Sequence, residues 1–558
     1  MKFLQIIKHL KLQNKKNALD NFVNCRTYEH ISNINKLFLN KYSSTKEHSE
    51  HGQVKHENFL NSKLQYGENS QNGSTNNLKN GKYNMYVSEG NVNINEEKYK
   101  HNNISSNNTQ YNNNNNNNNS SNFGILHYEG PGWKDHIDDV VNEKKKKKMN
   151  RFYLDSQATT MIDPRVLDKM LPYMTYIYGN AHSRNHFFGW ESEKAVEDAR
   201  TNLLNLINGK NNKEIIFTSG ATESNNLALI GICTYYNKLN KQKNHIITSQ
   251  IEHKCILQTC RFLQTKGFEV TYLKPDTNGL VKLEDIKNSI KNNTIMASFI
   301  FVNNEIGVIQ DIENIGNLCK EKNILFHTDA SQAAGKVPID VEKMNIDLMS
   351  MSGHKLYGPK GIGALYIKRK KPNIRLNALI HGGGQERGLR SGTLPTHLIV
   401  GFGEAAKVCS LEMNRDEKKV RYFFNYVKDY LTKHLDYIVF NGCQINRYYG
   451  NMNISFLFVE GESLLMSLNE IALSSGSACT SSTLEPSYVL RSIGISEDIA
   501  HTSIRIGFNR FTTFFEVQQL CINLVKSVQR LRSISPLYEM ELEKKNPSND
   551  DNPKFIWT

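Results

Sequence analysis

Four short segments of this chain carry polar residues of kinds that neither a solvated surface nor a packed core requires. In Ser219-Gly220-Ala221-Thr222-Glu223-Ser224-Asn225-Asn226, glycine and small hydroxyl residues follow an apolar strand pattern that ends at Thr218. Such a turn frees backbone N–H groups to cradle a phosphate, and it equally suits a plain helix cap. In His327-Thr328-Asp329-Ala330-Ser331-Gln332, a carboxylate stands at a strand end, where it can pair with a protonated ring nitrogen or close a turn. In Ser350-Met351-Ser352-Gly353-His354-Lys355-Leu356-Tyr357-Gly358-Pro359, a lysine lies among hydroxyls, histidine and glycine between two apolar runs. A lysine that forms a Schiff base needs desolvation and neighbours that lower its proton affinity. In Leu473-Ser474-Ser475-Gly476-Ser477-Ala478-Cys479-Thr480-Ser481-Ser482, the cysteine lacks the apolar neighbours of one that merely packs, which suits a reactive thiolate.

The elements that must position these residues are legible as a β-α alternation. Residues 214–218, 245–248, 294–301, 324–328, 348–350 and 363–367 read as apolar, β-branched strands. The run 294–301 is apolar throughout, as expected of a strand covered on both faces. Between the strands, Ala195, Val196, Ala199, Leu203 and Leu204 recur on one helical face. The alternation predicts an α/β fold, a mostly parallel sheet with helices on both sides, and ligand-binding residues at the carboxyl ends of the strands. From Leu394 onward, longer helical stretches and strands such as 453–456 predict a smaller α+β lobe.

The first 150 of the 558 residues do not read as globular. Residues 69–122 are dominated by Asn, Ser, Lys and Gly, with an unbroken Asn run at 112–119, too polar to offset the entropy of ordering; a disordered extension is expected. The net charge of +14, from 69 Lys and Arg against 55 Asp and Glu, includes the run 144–148. That run is expected to be a solvated linker, and no stable nucleic-acid binding is expected, since no nucleic-acid module is discernible. Nine scattered cysteines without CxxC spacing point to neither a zinc site nor a disulfide framework, and a reducing compartment fits them. No apolar stretch reaches the roughly 18 residues of a membrane span. The start, Met1-Lys2-Phe3-Leu4-Gln5-Ile6-Ile7-Lys8-His9-Leu10-Lys11-Leu12, mixes apolar and basic residues, and the first acidic residue is Asp20; mitochondrial import is expected.

The ordered series Thr222, His253, Asp329, Lys355 and Cys479 resembles the cysteine desulfurases of the NifS/IscS group, aminotransferase-like enzymes of fold type I that use pyridoxal phosphate. Supporting stretches run from Tyr153-Leu154-Asp155 through Val302-Asn303-Asn304-Glu305-Ile306-Gly307 and Arg390-Ser391-Gly392-Thr393 to Leu484-Glu485-Pro486-Ser487-Tyr488. The resemblance implies a large cofactor domain with a seven-stranded-type sheet at 163–405. It implies a small domain from 151–162 and 406–537 that carries the cysteine, and a partner-docking tail at 538–558. Lys355 would form the Schiff base, and Asp329 would keep the pyridine nitrogen protonated. His253 would stack on the ring and exchange protons. Gln332 would bond the phenolic oxygen, with Asn304 near that oxygen and the substrate. Ala221 (by its amide), Thr222, Ser352 and His354 would bind phosphate, and Thr393 would reach the phosphate of a second subunit in a homodimer. Arg505 is the candidate for the substrate carboxylate. Cys479 would take sulfur from L-cysteine as a persulfide.

The resemblance further implies delivery to an IscU-type iron–sulfur scaffold protein, with Cys479 as a transient ligand of the growing cluster, and binding of a LYR-type accessory protein. Transfer-RNA thiolation is a second outlet for the sulfur. A selenocysteine lyase or another fold type I enzyme, and a non-catalytic scaffold on the same fold, are the competing readings. Two positions depart from the family pattern: Ala181, where proline is usual, and Ser156, where an apolar or aromatic residue is common.

Overall fold

The structure is a computed structural model and describes residues 151–475 and 486–545. The expected presequence, the Asn-rich extension, the lysine run and Cys479 lie outside the described residues. The elements follow in chain order: β1 (Phe152–Tyr153), α1 (Pro164–Met174), α2 (Phe187–Leu206), β2 (Ile215–Thr218), α3 (Ala221–Leu239), β3 (His245–Ser249), α4 (Lys254–Gln264), β4 (Glu269–Leu273), α5 (Leu283–Ser289), β5 (Thr294–Ile300), α6 (Ile312–Glu321), β6 (Leu325–Asp329), β7 (Leu348–Ser352) and β8 (Gly363–Ile367). There follow α7 (Thr396–His434), β9 (Ile438–Phe440), β10 (Asn451–Phe456), α8 (Gly461–Ser467), β11 (Ile471–Ala472), α9 (Tyr488–Ser492), α10 (Glu497–His501), β12 (Ser503–Gly507), α11 (Phe514–Arg532) and α12 (Pro536–Lys545).

A seven-stranded sheet has the order β2-β8-β7-β6-β5-β3-β4. Strands β4, β3, β5, β6 and β7 pair in parallel, and β8 runs antiparallel to both β7 and β2. The reversal at β8 has a local cause: the 353–362 connection is shorter than the dozen or so residues that a parallel crossover needs. Side-chain alternation divides the apolar residues between the two faces of the sheet. Ile215, Phe217, Ala364 and Tyr366 join one core, and Ile216, Leu365 and Ile367 join the other. The predicted helical face is likewise inside, with Ala195, Val196, Ala199, Leu203 and Leu204 all buried on α2.

A second, antiparallel sheet has the order β12-β10-β9, and β1 pairs with β11. Ser156 finds its explanation here. It is buried, its hydroxyl donates to Gly507 O at 3.2 Å, and it accepts from Asn509 Nδ2 at 2.8 Å. An apolar residue would leave the Asn509 amide short of a partner.

A buried ion cluster ties α1 and α7 to the turn after β12. Arg510 is 2% exposed; its guanidinium lies 2.9 Å from both Asp163 and Asp416 and covers the Tyr357 ring at 4.0 Å. Asp163 also caps α1, accepting from Arg165 N at 3.1 Å. Among the described residues, Arg510→Ala leaves Asp163 only the half-exposed Arg165, at 2.8 Å, and Asp416 only the exposed Arg415, at 3.2 Å. It is expected to lower stability by about 2–3 kcal/mol, the loss of buried hydrogen bonds between charged groups, read as a fall in urea midpoint at unchanged slope.

Candidate active site

The carboxyl ends of β2, β3, β5, β6 and β7 open on one edge of the central sheet, and a cavity of about 560 Å³ lies there. Ala221, Thr222, His253, Asn304, Asp329, Gln332, Ser352, His354, Lys355 and Arg505 all line it. Thr393 is exposed and does not.

Asp329 ends β6. Its Oδ2 accepts from Asn225 Nδ2 at 2.8 Å, and its Oδ1 accepts from the Ser331 backbone N–H at 3.0 Å. With the Ser331 hydroxyl, which also donates to Oδ1, three donors fix a carboxylate that faces the cavity. Two residues back on the same strand, His327 is sealed between the hydroxyls of Ser298 and Ser350, at 2.8 and 3.1 Å. Burial pushes its pKa down to about 4, with the charge of Asp329 opposing the fall. His327 is thus a neutral post beneath the carboxylate.

Lys355 sits in the short turn between β7 and β8. Its Nζ donates to the carbonyl of Gln157, and to that of Ala158 at 2.8 Å. Two residues on, Tyr357 takes a left-handed φ of 66°, costly for an aromatic residue. The conformation is held because its N–H donates to Thr160 Oγ1 at 2.9 Å and its hydroxyl accepts from Arg510 N at 3.2 Å.

At the other end of the cavity α3 begins at Gly220 with no side chain capping it. The first N–H groups of this 19-residue helix meet Thr222, Ser352, His354 and Lys360 around the same space, the donor set of an anion site. Burial, then the charges of Lys355, Lys360 and Lys336, push the His354 pKa down to about 4.

His253 caps α4, its Nδ1 accepting from Cys255 N at 3.2 Å. In this tautomer the ring proton is on Nε2. To take a proton from a thiol, His253 must first give up the cap. Arg505, nearly buried on β12, pairs with Asp155 at 2.8 Å and donates to the Asn304 carbonyl at 3.0 Å. Asp155 also accepts from the Ser474 hydroxyl at 3.0 Å. Gln332 donates to the Gln157 carbonyl at 2.9 Å and accepts from Lys336 at 2.7 Å.

Asn225, Asp155 and Lys336 carry no role in the sequence reading. The first two fall within quoted motifs, and nothing local marks them as partners of Asp329 and Arg505. Among the described residues no group of three or more His, Cys, Asp or Glu could hold a metal ion, and no helix is long and apolar enough to cross a membrane.

Glu252, beside His253, is fully buried. Its Oε1 accepts from the Ser249 hydroxyl at 2.6 Å and from Ile300 N at 3.0 Å, whereas Oε2 has no hydrogen-bond partner among the described residues. Burial raises its pKa to about 8. The folded chain holds this proton more tightly than the unfolded chain, whose value is near 4.5. The stability Glu252 contributes is therefore complete below the unfolded value and declines as pH rises toward the folded one. Glu252→Gln mimics the protonated acid. Melts at pH about 5 and about 8 are expected to show a smaller alkaline loss in the variant than in the parent.

The residues around the cavity fit pyridoxal phosphate: an anion cradle at one end, a fixed carboxylate for a ring nitrogen, and a lysine between them. The class-V aminotransferase profile matches residues 152–520. The chain belongs to the class-V aminotransferase family. A cysteine desulfurase IscS of Plasmodium falciparum is 96% identical over 558 residues, all of both chains. A mitochondrial cysteine desulfurase of Drosophila melanogaster is 56% identical over 392 residues, 70% of this chain and 84% of the relative. The solved structure of SspA in complex with cysteine covers 65% of this chain and 100% of its own, at 39% identity and a TM-score of 0.58. Within the class-V aminotransferases the chain thus falls among the cysteine desulfurases, enzymes that use pyridoxal phosphate.

Proposed function

We propose that this chain converts L-cysteine to L-alanine in the cavity at the sheet edge and passes the sulfur on as a persulfide of Cys479. The observation that carries the reading is the convergence of Lys355, Asp329, the α3 N-terminus and Arg505 on one cavity. Thr222, Ser352, His354 and the Ala221 amide would hold the phosphate. His253 would support the ring, and Gln332 and Asn304 would serve its phenolic oxygen; all of them line the cavity. When bound, the protonated ring withdraws electrons from the substrate Cα. Lys355 Nζ would anchor the cofactor and, once released, would hold the proton taken from the substrate Cα. Arg505 binds the substrate carboxylate, a task suited to its planar fork, and Asp155 holds that fork in place beforehand. The Cys479 thiolate attacks the substrate sulfur: a sulfur–sulfur bond forms, the Cβ–sulfur bond breaks with its electron pair left on carbon, Cβ takes up a proton, and alanine leaves.

The finer organisation belongs to the same reading. Residues 163–405 form the cofactor domain, and residues 151–162 with 406–537 form the small domain. Two copies pair, so that Thr393 of one approaches the phosphate of the other. The exposed aromatics Tyr176, Tyr178, Phe187, Phe188 and Trp190 support such a pairing. An iron–sulfur scaffold receives the sulfur, docking near α12, where Leu537, Met540 and Leu542 are exposed. A LYR-type accessory subunit and the mitochondrial matrix complete the proposal, in keeping with the mitochondrial relative from Drosophila melanogaster.

The test is direct. Purified protein loaded with pyridoxal phosphate is incubated with L-cysteine, alanine is quantified, and the peptide carrying one added sulfur atom is mapped by mass spectrometry. Alanine without a modified Cys479 counts against the nucleophile. No alanine counts against the whole reading.

A further inference from the structure

Lys336 is nearly fully buried, and among the described residues no ion pair joins it to a carboxylate. A buried lysine is costly unless something uses its donors. Here Nζ donates to Gln332 Oε1 at 2.7 Å, and it lies 5.5 Å from the centroid of the Tyr448 ring. The other end of the Gln332 amide donates to the Gln157 carbonyl at 2.9 Å. These two neighbours assign the amide without ambiguity. A lysine ammonium only donates, so the amide oxygen faces it. The Gln157 carbonyl only accepts and so favours the same orientation, but it is shared with Lys355 Nζ; Lys336 holds the opposite end of the amide and supplies the second restraint. The second Nε2 hydrogen is left for a ligand in the cavity that Gln332 lines. The same Gln157 carbonyl accepts from Lys355 Nζ, so Lys336, Gln332 and Lys355 form one hydrogen-bonded chain.

We propose that Lys336 is a positioning residue that fixes the N–H end of Gln332 toward the cofactor's phenolic oxygen, and through that contact sets how tightly Lys355 Nζ holds its proton. The proposal rests on the functional reading above. An N–H donor stabilises the oxygen as an anion. Without it the oxygen becomes more basic, and the proton it shares with Lys355 Nζ is bound more tightly. Burial pushes the Lys336 ammonium down to about 7, with Lys355 and Arg505 adding to the fall and Cys409 opposing it. Both proton states keep an N–H for Gln332.

The experiment is a pH titration of the visible absorption band of the loaded enzyme. Lys336→Met is expected to raise the midpoint by about half to one pH unit, a fraction of the strength of a hydrogen bond to a charged group, because the Gln157 carbonyl still holds one end of the amide. Lys336→Arg, which keeps a donor, is expected to return the midpoint toward the parent value. An unmoved midpoint in a folded, loaded Lys336→Met overturns the proposal, and so does an arginine variant that shifts as far as the methionine variant. Should Lys336→Met fail to fold, Gln332→Ala takes its place, because it removes the same contact with the lysine still present. A raised midpoint there supports the proposal and an unmoved one overturns it. Borohydride reduction of the parent, trapping cofactor on Lys355, separates failure of this contact from failure of the functional reading.

Discussion

Cys479→Ser is expected to retain the visible absorbance of bound pyridoxal phosphate, while sulfur transfer from L-cysteine is expected to fall by at least about 10³-fold. The two halves of this result follow from the division of labour in the site. Apart from Thr393 of a second copy, every group proposed to hold the cofactor lines the described cavity, and none of them is Cys479. The serine variant therefore binds and colours normally. Sulfur abstraction is different, because it needs a nucleophile that accepts a sulfur atom and leaves as a stable persulfide. A hydroxyl ionises far less readily than a thiol and forms no such product. Alanine and persulfide are measured together, by amino-acid analysis and by mass spectrometry of the protein. Retained persulfide on another of the nine cysteines would reassign the nucleophile. Cys233, Cys260 and Cys409 are poor substitutes, because burial raises their thiol pKa values well above the ordinary range.

The central sheet was legible because its strands are short apolar runs bounded by turn residues. The strand at 363–367 matches residue for residue, and the others agree to within a residue or two. β4 was not read from the sequence. It lies at the sheet edge, and Glu269 to Tyr272 are at most partly buried, so the apolar signature of a covered strand is missing. Strand direction was half legible: apolar runs do not encode it, and only the short connection that carries Lys355 forces β8 to reverse. In the site, residues with unusual chemistry for their surroundings were readable, as with Lys355 and Asp329. Their supports were not, because they come from far along the chain. Asp155 reaches Arg505 across 350 positions, and Asn225 reaches Asp329 across 104. A carboxylate or an amide in a motif looks the same whether it binds ligand or holds the residue that does. Ser156, a departure from the family pattern, holds no residue of the cavity; it bonds Gly507 at the end of β12 and Asn509 just beyond it.

Asp329→Asn is expected to lower the rate of alanine formation by about 10²–10³-fold while cofactor affinity falls far less. The phosphate cradle and Lys355 bring most of the binding, and neither touches Asp329. In the proposed site, the variant would lose the fixed negative charge that would keep a ring nitrogen protonated, and with it the electron withdrawal on which Cα deprotonation would depend. The geometry makes the loss hard to repair. Asn225 and the Ser331 N–H both donate to Asp329, one to each oxygen. An asparagine can satisfy only one of them with its oxygen and must turn its own NH₂ toward the other or toward the cavity. Either arrangement sets donor against donor, and His327, neutral and bound at both nitrogens by Ser298 and Ser350, cannot supply the missing charge. A cofactor analogue methylated at the ring nitrogen carries the positive charge permanently, so it should restore a large part of the rate to Asp329→Asn and little to Cys479→Ser. Near-parental turnover by Asp329→Asn with the ordinary cofactor would show that the carboxylate serves only to close the turn at Ser331, and the electron-sink role would have to be withdrawn.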